Sequence, residues 1–217
     1  MLPSFPPLLP TAIRVLHADA ALLVVSKPCG LLSVPGRGED KQDCLIARLL
    51  ADYPDARIVH RLDRDTSGLL VLGRNADSHR ELSRQFQDRE VDKRYIALAL
   101  GHLAEDAGEI DLPLRYDPPT KPRHVVDPVG GQPSLTRWRV LARLPGCTRV
   151  ELEPFTGRSH QLRVHLQALG HPLLGDALYA PPEAAPEGSR LCLHAERLSF
   201  THPVNGARLT FRDPAPF

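Results

Sequence analysis

The apolar residues of this chain arrive in short, strand-length runs, and those runs follow one another with few helices between them. Ala20 to Ser26 is an apolar run that Lys27-Pro28 ends, which fits a buried strand. Leu69 to Leu72 is a second. Arg94 to Leu100 alternates, with Tyr95, Ala97 and Ala99 on one face and Ile96, Leu98 and Leu100 on the other, and Gly101 ends it. Thr136 to Ala142 and Thr148 to Glu153 alternate around a Pro145-Gly146 turn. Leu191 to Phe200 and Arg208 to Phe211 supply the last strands. Three segments carry helical signals instead. Cys44 to Leu50 has helical spacing. Asn75 or Asp77 caps a helix running to about Asp88, with Leu82 and Phe86 on its inner face. Ser159 caps a helix that carries Leu162, Leu166 and Leu169 and is closed by Gly170 and Pro172. Runs of strands with a few helices predict an α+β fold with a mixed, largely antiparallel central sheet flanked by helices and loops, in preference to a doubly wound one.

Proline and glycine punctuate what lies between. Residues 1–12 are broken by prolines and read as a flexible tail, and 13–217 as a single domain without a linker or internal repeat. Gly30 to Gly38 and Pro181 to Gly188 read as loops, and Pro113 to Pro133 as a long loop or a hairpin with a wide tip. A content of 42% hydrophobic and 24% charged residues fits a globular chain and excludes a disordered one. No apolar run approaches a membrane span, and the start of the chain is not a signal peptide. Cys29, Cys44, Cys147 and Cys192 have no metal-ligand spacing, so reduced thiols in a cytoplasmic protein are expected, with no metal site.

Chemistry concentrates in two places. His60-Arg61-Leu62-Asp63-Arg64-Asp65-Thr66-Ser67-Gly68 crowds charges against the apolar run that follows it. A carboxylate held there among arginines stays ionised, as a nucleophile or general base must. The same residues also suit a structural ion pair followed by a Ser-Gly turn. Gly157-Arg158-Ser159-His160-Gln161-Leu162-Arg163-Val164-His165 follows a strand and opens a helix, where free amides and the dipole favour anions. Arg163 on its first turn faces back towards a carboxylate, while His160 and His165, five apart, do not share a face and make no metal pair. Tyr95 opens its strand, a position that suits packing as readily as chemistry. The net charge of +1 hides a bias: from Arg115 to His165 there are nine Lys or Arg, four Asp or Glu and three His. A basic face is therefore compatible with a nearly neutral chain. There is no Walker loop, no dinucleotide-binding glycine pattern and no Gly-x-Ser-x-Gly elbow.

Read together, these segments resemble the RluA family of pseudouridine synthases. His60-Arg61-Leu62-Asp63 with Thr66-Ser67-Gly68 is similar to its catalytic motif, Lys93-Arg94-Tyr95 to its tyrosine motif, and Gly157 to His165 to its third motif. Lys27-Pro28 with Gly30-Leu31 and Val34-Pro35-Gly36 matches at the front, and Gly170-His171-Pro172, Gly175-Asp176, Tyr179 and Leu193-His194-Ala195 match towards the end. The likeness is strongest to the dual-specificity members, because the chain has no room for the amino-terminal S4 domain of several relatives.

The resemblance implies the pseudouridine synthase fold and an isomerase that breaks the bond from N1 of uracil to ribose and remakes it from C5, without a cofactor. Asp63 would be the nucleophile, Arg163 its ion-pair partner, and Tyr95 the ring that stacks on the target uracil and a candidate for handling the C5 proton. A uridine inside a folded loop must be flipped out, and an aromatic platform offsets on the order of 1–3 kcal/mol of the lost stacking. Arg61 would help fill the space the base leaves, with His60, Arg37, Arg115, Lys121, Arg123 and Arg158 as further RNA contacts. The implied substrates are the anticodon stem-loop of certain tRNAs and a stem-loop of 23S ribosomal RNA, with no DNA and no membrane partner, and a monomer is expected. A tRNA-only or rRNA-only synthase and a non-catalytic RNA-binding module are the alternatives.

Overall fold

The computed structural model describes residues 12–217, so the expected tail falls, but for its last residue, outside the described residues. In chain order the elements are β1 (Arg14–Ala18), β2 (Leu22–Lys27), α1 (Leu45–Leu49), β3 (Arg57–Ile58), β4 (Ser67–Gly73), α2 (Ala76–Gln87), β5 (Asp92–Leu100) and β6 (Ala107–Asp111). Then come β7 (Leu114–Tyr116), β8 (His124–Val126), β9 (Leu135–Leu144), β10 (Cys147–Pro154), α3 (Gln161–Ala168), β11 (Leu193–Thr201) and β12 (Arg208–Arg212). The chain forms two compact units, one of residues 12–93 with His194–Pro216, the other of Arg94–Leu193 with Phe217.

In the first unit the strand order is β1-β2-β4-β11, with β12 on β11 and β3 beside β4. Among its described residues only β4 and β11 run parallel, through His194 opposite Ser67 and Ala195 opposite Gly68. Every residue of β2 and of β4 is buried, which is why both read as continuous apolar runs and not as alternation. Leu22, Val24, Leu69, Val71, Leu198 and Phe200 form a core that Leu82 of α2 completes. Asn75 caps α2 by accepting the Ser78 N–H at 2.8 Å. Buried Gln85 docks the helix by exchanging two 2.9 Å bonds with the backbone of Thr201.

The second unit is an antiparallel sheet, β5-β10-β9-β6, with β7 and β8 as a separate hairpin. The alternation of β5 is realised. Ala97 and Ala99, with Tyr95 against them, join Leu162 and Leu166 of α3 in one cluster, while Leu98 faces Cys147, Leu174 and Cys192 in another. The segment from Pro113 to Pro133 is the hairpin, with 117–123 as its wide tip. The cap of α3 differs from the expectation. His160, not Ser159, is the N-cap, at φ 58 in the left-handed region. The reason is that Gln161 turns its side chain back and accepts the Arg158 N–H at 3.0 Å, closing the turn from inside the helix. Leu169 lies at the C-cap and is exposed.

Candidate active site

The loop from His60 to Thr66 is fastened from behind, through its backbone, by the segment that follows β2. Ser33 is buried, and its hydroxyl donates to the Leu62 carbonyl at 2.7 Å while accepting the Leu62 N–H at 3.1 Å. The fully buried Lys27 ammonium donates to the carbonyls of Arg64 (2.9 Å), Pro28 (2.9 Å) and Leu31 (2.7 Å). Three carbonyls match its three protons, which makes a buried charge tolerable. The Cys29 thiol donates to the Asp65 carbonyl at 3.0 Å, and the Thr66 N–H closes a turn onto the Asp63 carbonyl at 3.2 Å. The backbone is therefore held immediately before Asp63, at Asp63 and at the two residues after it, and the partly buried Asp63 side chain rises from a fixed base.

The far end of the motif is anchored as firmly. Gly68 has φ +109, and a β-carbon there would lie 2.4 Å from the Ala195 carbonyl oxygen, so the close approach of β4 and β11 requires glycine. Buried Ser67 hydrogen-bonds His194 Nδ1 at 2.8 Å, and His194 Nε2 meets the Asp213 carbonyl at 2.8 Å. Burial opposes the charge of the Asp213 carboxylate, but hydrogen bonds from His194, Ser26 and Arg14 outweigh it and hold the group well below the usual carboxylate range. His60 turns inward. Its Nε2 accepts the Val71 N–H at 3.1 Å and its ring stacks on Phe86 at 4.2 Å. Burial, with the nearby Lys93 ammonium, pushes its pKa down to about 3, so the ring is neutral.

In the other unit, the third motif is wired to β9. Gln161 accepts from Thr156 Oγ1 (2.7 Å) and donates to the Leu135 carbonyl and Thr136 Oγ1 (both 3.0 Å). His165 bridges Thr136 Oγ1 (2.9 Å) and the Leu112 carbonyl (3.0 Å), and burial lowers its pKa. Between these anchors, Arg163 is 3% exposed and makes a two-pronged ion pair with the fully buried Asp176, at 2.7 and 2.6 Å. Asp176 also accepts the N–H groups of Leu178 and Tyr179, at 3.0 and 3.2 Å. A guanidinium fixed this way is a rigid cation with a defined direction.

Comparison with known proteins gives the family. Residues 21–168 match the family described as RNA pseudouridylate synthase. The chain belongs to that family. It is 50% identical over 204 residues to the Dual-specificity RNA pseudouridine synthase RluA of Yersinia pestis, covering 94% of this chain and 99% of the relative. The proteins of the same description from Escherichia coli K12 and Pasteurella multocida are 49% and 47% identical, covering 94% and 99% of this chain and 93% and 98% of theirs. Among solved structures, Human RNA Pseudouridylate Synthase Domain Containing 1 superposes with a TM-score of 0.79 at 31% identity, over 95% of this chain and 85% of that one. Human RNA Pseudouridylate Synthase Domain Containing 4 gives 0.73 at 27%, over 93% and 88%. The α+β architecture is that of the pseudouridine synthases, and the chain is an RNA pseudouridine synthase, an isomerase.

The expected site residues of this synthase divide between its two units. His60, Arg61, Asp63 and Arg37 belong to the first, and Tyr95, Arg115, Lys121, Arg123, Arg158 and Arg163 to the second. Arg61, Arg37, Lys121, Arg123 and Arg158 are exposed. Arg115 is exposed too, but its guanidinium braces the hairpin by pairing with Asp127 at 2.6 Å and Asp117 at 3.4 Å. The ring of His60, expected against RNA, is engaged inside its unit. Lys27, Cys29, Ser33, Asp176 and Tyr179 support the site without having been assigned a role from sequence. Lys27 did leave a trace, as a lysine closing an otherwise apolar strand.

Proposed function

We propose that this synthase isomerises uridines in both tRNA and ribosomal RNA, with Asp63 as nucleophile, Tyr95 as the ring that stacks on the flipped uracil, and Arg163 as the cation serving the nucleophile. The observation that carries the assignment of Asp63 is the fastening of the backbone on both sides of it by Ser33, Lys27 and Cys29. Pre-organisation of this kind is what a group attacking a single atom requires. Arg163 is supported by its two-pronged hold on Asp176, and Tyr95 by its place against the cluster that seats α3.

In the reaction, an Asp63 oxygen attacks the sugar or the base, and the bond from N1 to the ribose breaks. The uracil turns, C5 bonds to the ribose carbon as the bond to Asp63 breaks, and the proton lost from C5 is balanced by one gained at N1, with Tyr95 the candidate for handling it. Atoms are conserved, so no cofactor enters. Leu62, buried beside the nucleophile, helps exclude water from the detached base. Arg61, Arg37, Lys121, Arg123 and Arg158 contact the RNA, Arg61 filling the space of the flipped base, whereas His60 and Arg115 serve the fold. The folded loops addressed are an anticodon stem-loop and a 23S ribosomal stem-loop. Double specificity is supported by the matched relatives, named as dual-specificity enzymes, which align over nearly the whole of both chains. The enzyme acts as a monomer in the cytoplasm, a placement supported by its four buried thiols. Among the described residues no helix is long and apolar enough to cross a membrane.

Tritium release from C5-tritiated uridine in bulk tRNA and in 23S ribosomal RNA tests the reading. Release from both is expected. Release from one RNA alone would overturn double specificity, and release from neither would overturn the activity.

A further inference from the structure

Three parts of the second unit meet at the phenol of Tyr179. Its hydroxyl accepts the backbone N–H of His124, the first residue of β8, at 2.8 Å, and is hydrogen-bonded to His160 Nδ1 at 2.6 Å. The Arg163 guanidinium lies over its ring, 5.0 Å from the centroid. Its own N–H donates to the Asp176 carboxylate that grips Arg163. The ring is 6% exposed and packs with Leu114 of β7 and Val164 of α3. One side chain thus touches both strands of the basic hairpin, the residue that opens α3, and the arginine assigned to the nucleophile.

The hairpin needs such a tie. β7 and β8 share three register pairs, Leu114 with Val126, Arg115 with Val125 and Tyr116 with His124. A two-stranded ribbon of this length has little stability of its own, so its direction is set by what holds its base. Its tip carries the exposed Lys121 and Arg123. At the other end of the contact, His160 occupies the left-handed backbone region at φ 58, a conformation that a residue with a β-carbon keeps only where its surroundings hold it. The Tyr179 hydroxyl is a partner that holds it.

We infer that Tyr179 is a positioning residue that couples the basic hairpin to Arg163, so that RNA phosphate engaged at the Lys121 and Arg123 tip is felt at the guanidinium. The coupling rests on the role given to Arg163 under Proposed function. It makes the hairpin more than an affinity device: a correctly gripped stem improves the chemical step as well as binding, which raises selectivity for folded RNA.

The test compares wild type, Tyr179→Phe, the tip variant Lys121→Glu/Arg123→Glu and their combination. Tritium release from tRNA is read as separate kcat and KM, and amide hydrogen exchange is followed across residues 114–126. Phenylalanine keeps the ring beneath Arg163 and removes the hydroxyl. Exchange at the His124 amide should accelerate, and kcat should fall about tenfold with a smaller change in KM. The combined variant should lose less kcat than the product of the separate losses, because the tip no longer reaches the guanidinium. An unchanged kcat, losses that multiply, or unchanged exchange overturns the coupling, and a lowered melting temperature with kcat intact shows Tyr179 to be packing alone. Should Tyr179→Phe fail to fold, His160→Asn, whose side chain tolerates the left-handed backbone, removes the hydroxyl's bond to His160 and leaves its bond to the His124 amide; kcat should then fall without faster exchange at His124, and an unchanged kcat overturns the coupling. Exchange is independent of the reaction. If wild type released no tritium, the proposed function would fail, while acceleration along the hairpin in Tyr179→Phe would still support the tie and its absence would still overturn it.

Discussion

Ser33→Ala removes one oxygen, and the structure sets the size of the effect. Ser33 is 3% exposed, and its hydroxyl both donates to and accepts from the backbone of Leu62, itself 6% exposed. Without it, a buried N–H and a buried carbonyl lose their partner, at about 1–3 kcal/mol each. The gap left by one oxygen in a buried site is not readily filled by water, and the expected loss of stability is about 2–6 kcal/mol. Leu62 precedes Asp63, so the nucleophile loses one of its anchors. A displacement of about 1 Å in a reacting group costs roughly a hundredfold in rate, and because Lys27 and Cys29 still hold the residues after Asp63, a kcat loss between about tenfold and a hundredfold is expected. KM for RNA should stay near the wild-type value, because Ser33 is buried. Urea unfolding gives the stability and tritium release at saturating RNA gives kcat. A stability change below about 0.5 kcal/mol would refute the energetic argument. A kcat within about twofold of wild type, in a variant that is destabilised as expected, would refute the claim that this anchor positions Asp63.

Three further outcomes follow from the same geometry. His60 is held neutral with a pKa of about 3, so only the unfolded chain takes up its proton below about 6.5; stability is full above pH 6.5 and is lost as pH falls towards 3, by about 2 kcal/mol between pH 7 and 5. His60→Gln should remove that part of the slope in urea unfolding at the two pH values, and an identical slope in both proteins would refute the assignment. Asp176→Asn removes the buried carboxylate that grips the Arg163 guanidinium at two points and should destabilise by about 3 kcal/mol or more, measured by urea unfolding, with wild-type stability as the refuting result. Gly68→Ala sets a β-carbon 2.4 Å from the Ala195 oxygen at a φ of +109; a loss of about 3 kcal/mol or more is expected in thermal unfolding, and an unshifted melting temperature would contradict the contact.

What sequence could and could not reveal divides along physical lines. β2 and β4 were legible because strands buried on both faces must be apolar throughout, and β5 because its two faces meet different clusters. Asn75 was legible as a cap because its function is local. β1 and β6 were not, because each has at most one well-buried residue and so carries no run or clean alternation, and β3 has only two residues. Ser159 read as the cap of α3, but Gln161 supplies the closing acceptor, a choice made by its simultaneous bonds to β9. The fastening of the Asp63 loop was invisible for a different reason. Lys27, Cys29 and Ser33 hold backbone groups, which every residue possesses, so even where Lys27 stands out at the end of an apolar strand nothing in the sequence tells which groups it holds. The Asp176 partner of Arg163 lies thirteen residues away with no periodic relation to it. His60 reads as part of a charged motif and is neutral because burial decides its state, not its neighbours in sequence.

The central claim is that the fixed carboxylate of Asp63 performs the isomerisation. The measurement that tests it most directly is tritium release from C5-tritiated RNA by wild type and Asp63→Asn side by side, with RNA binding followed in both. Release by wild type and none by the variant is expected, and the variant keeps its fold and its RNA affinity because asparagine matches the carboxylate in size. Release by Asp63→Asn at the wild-type rate would contradict it.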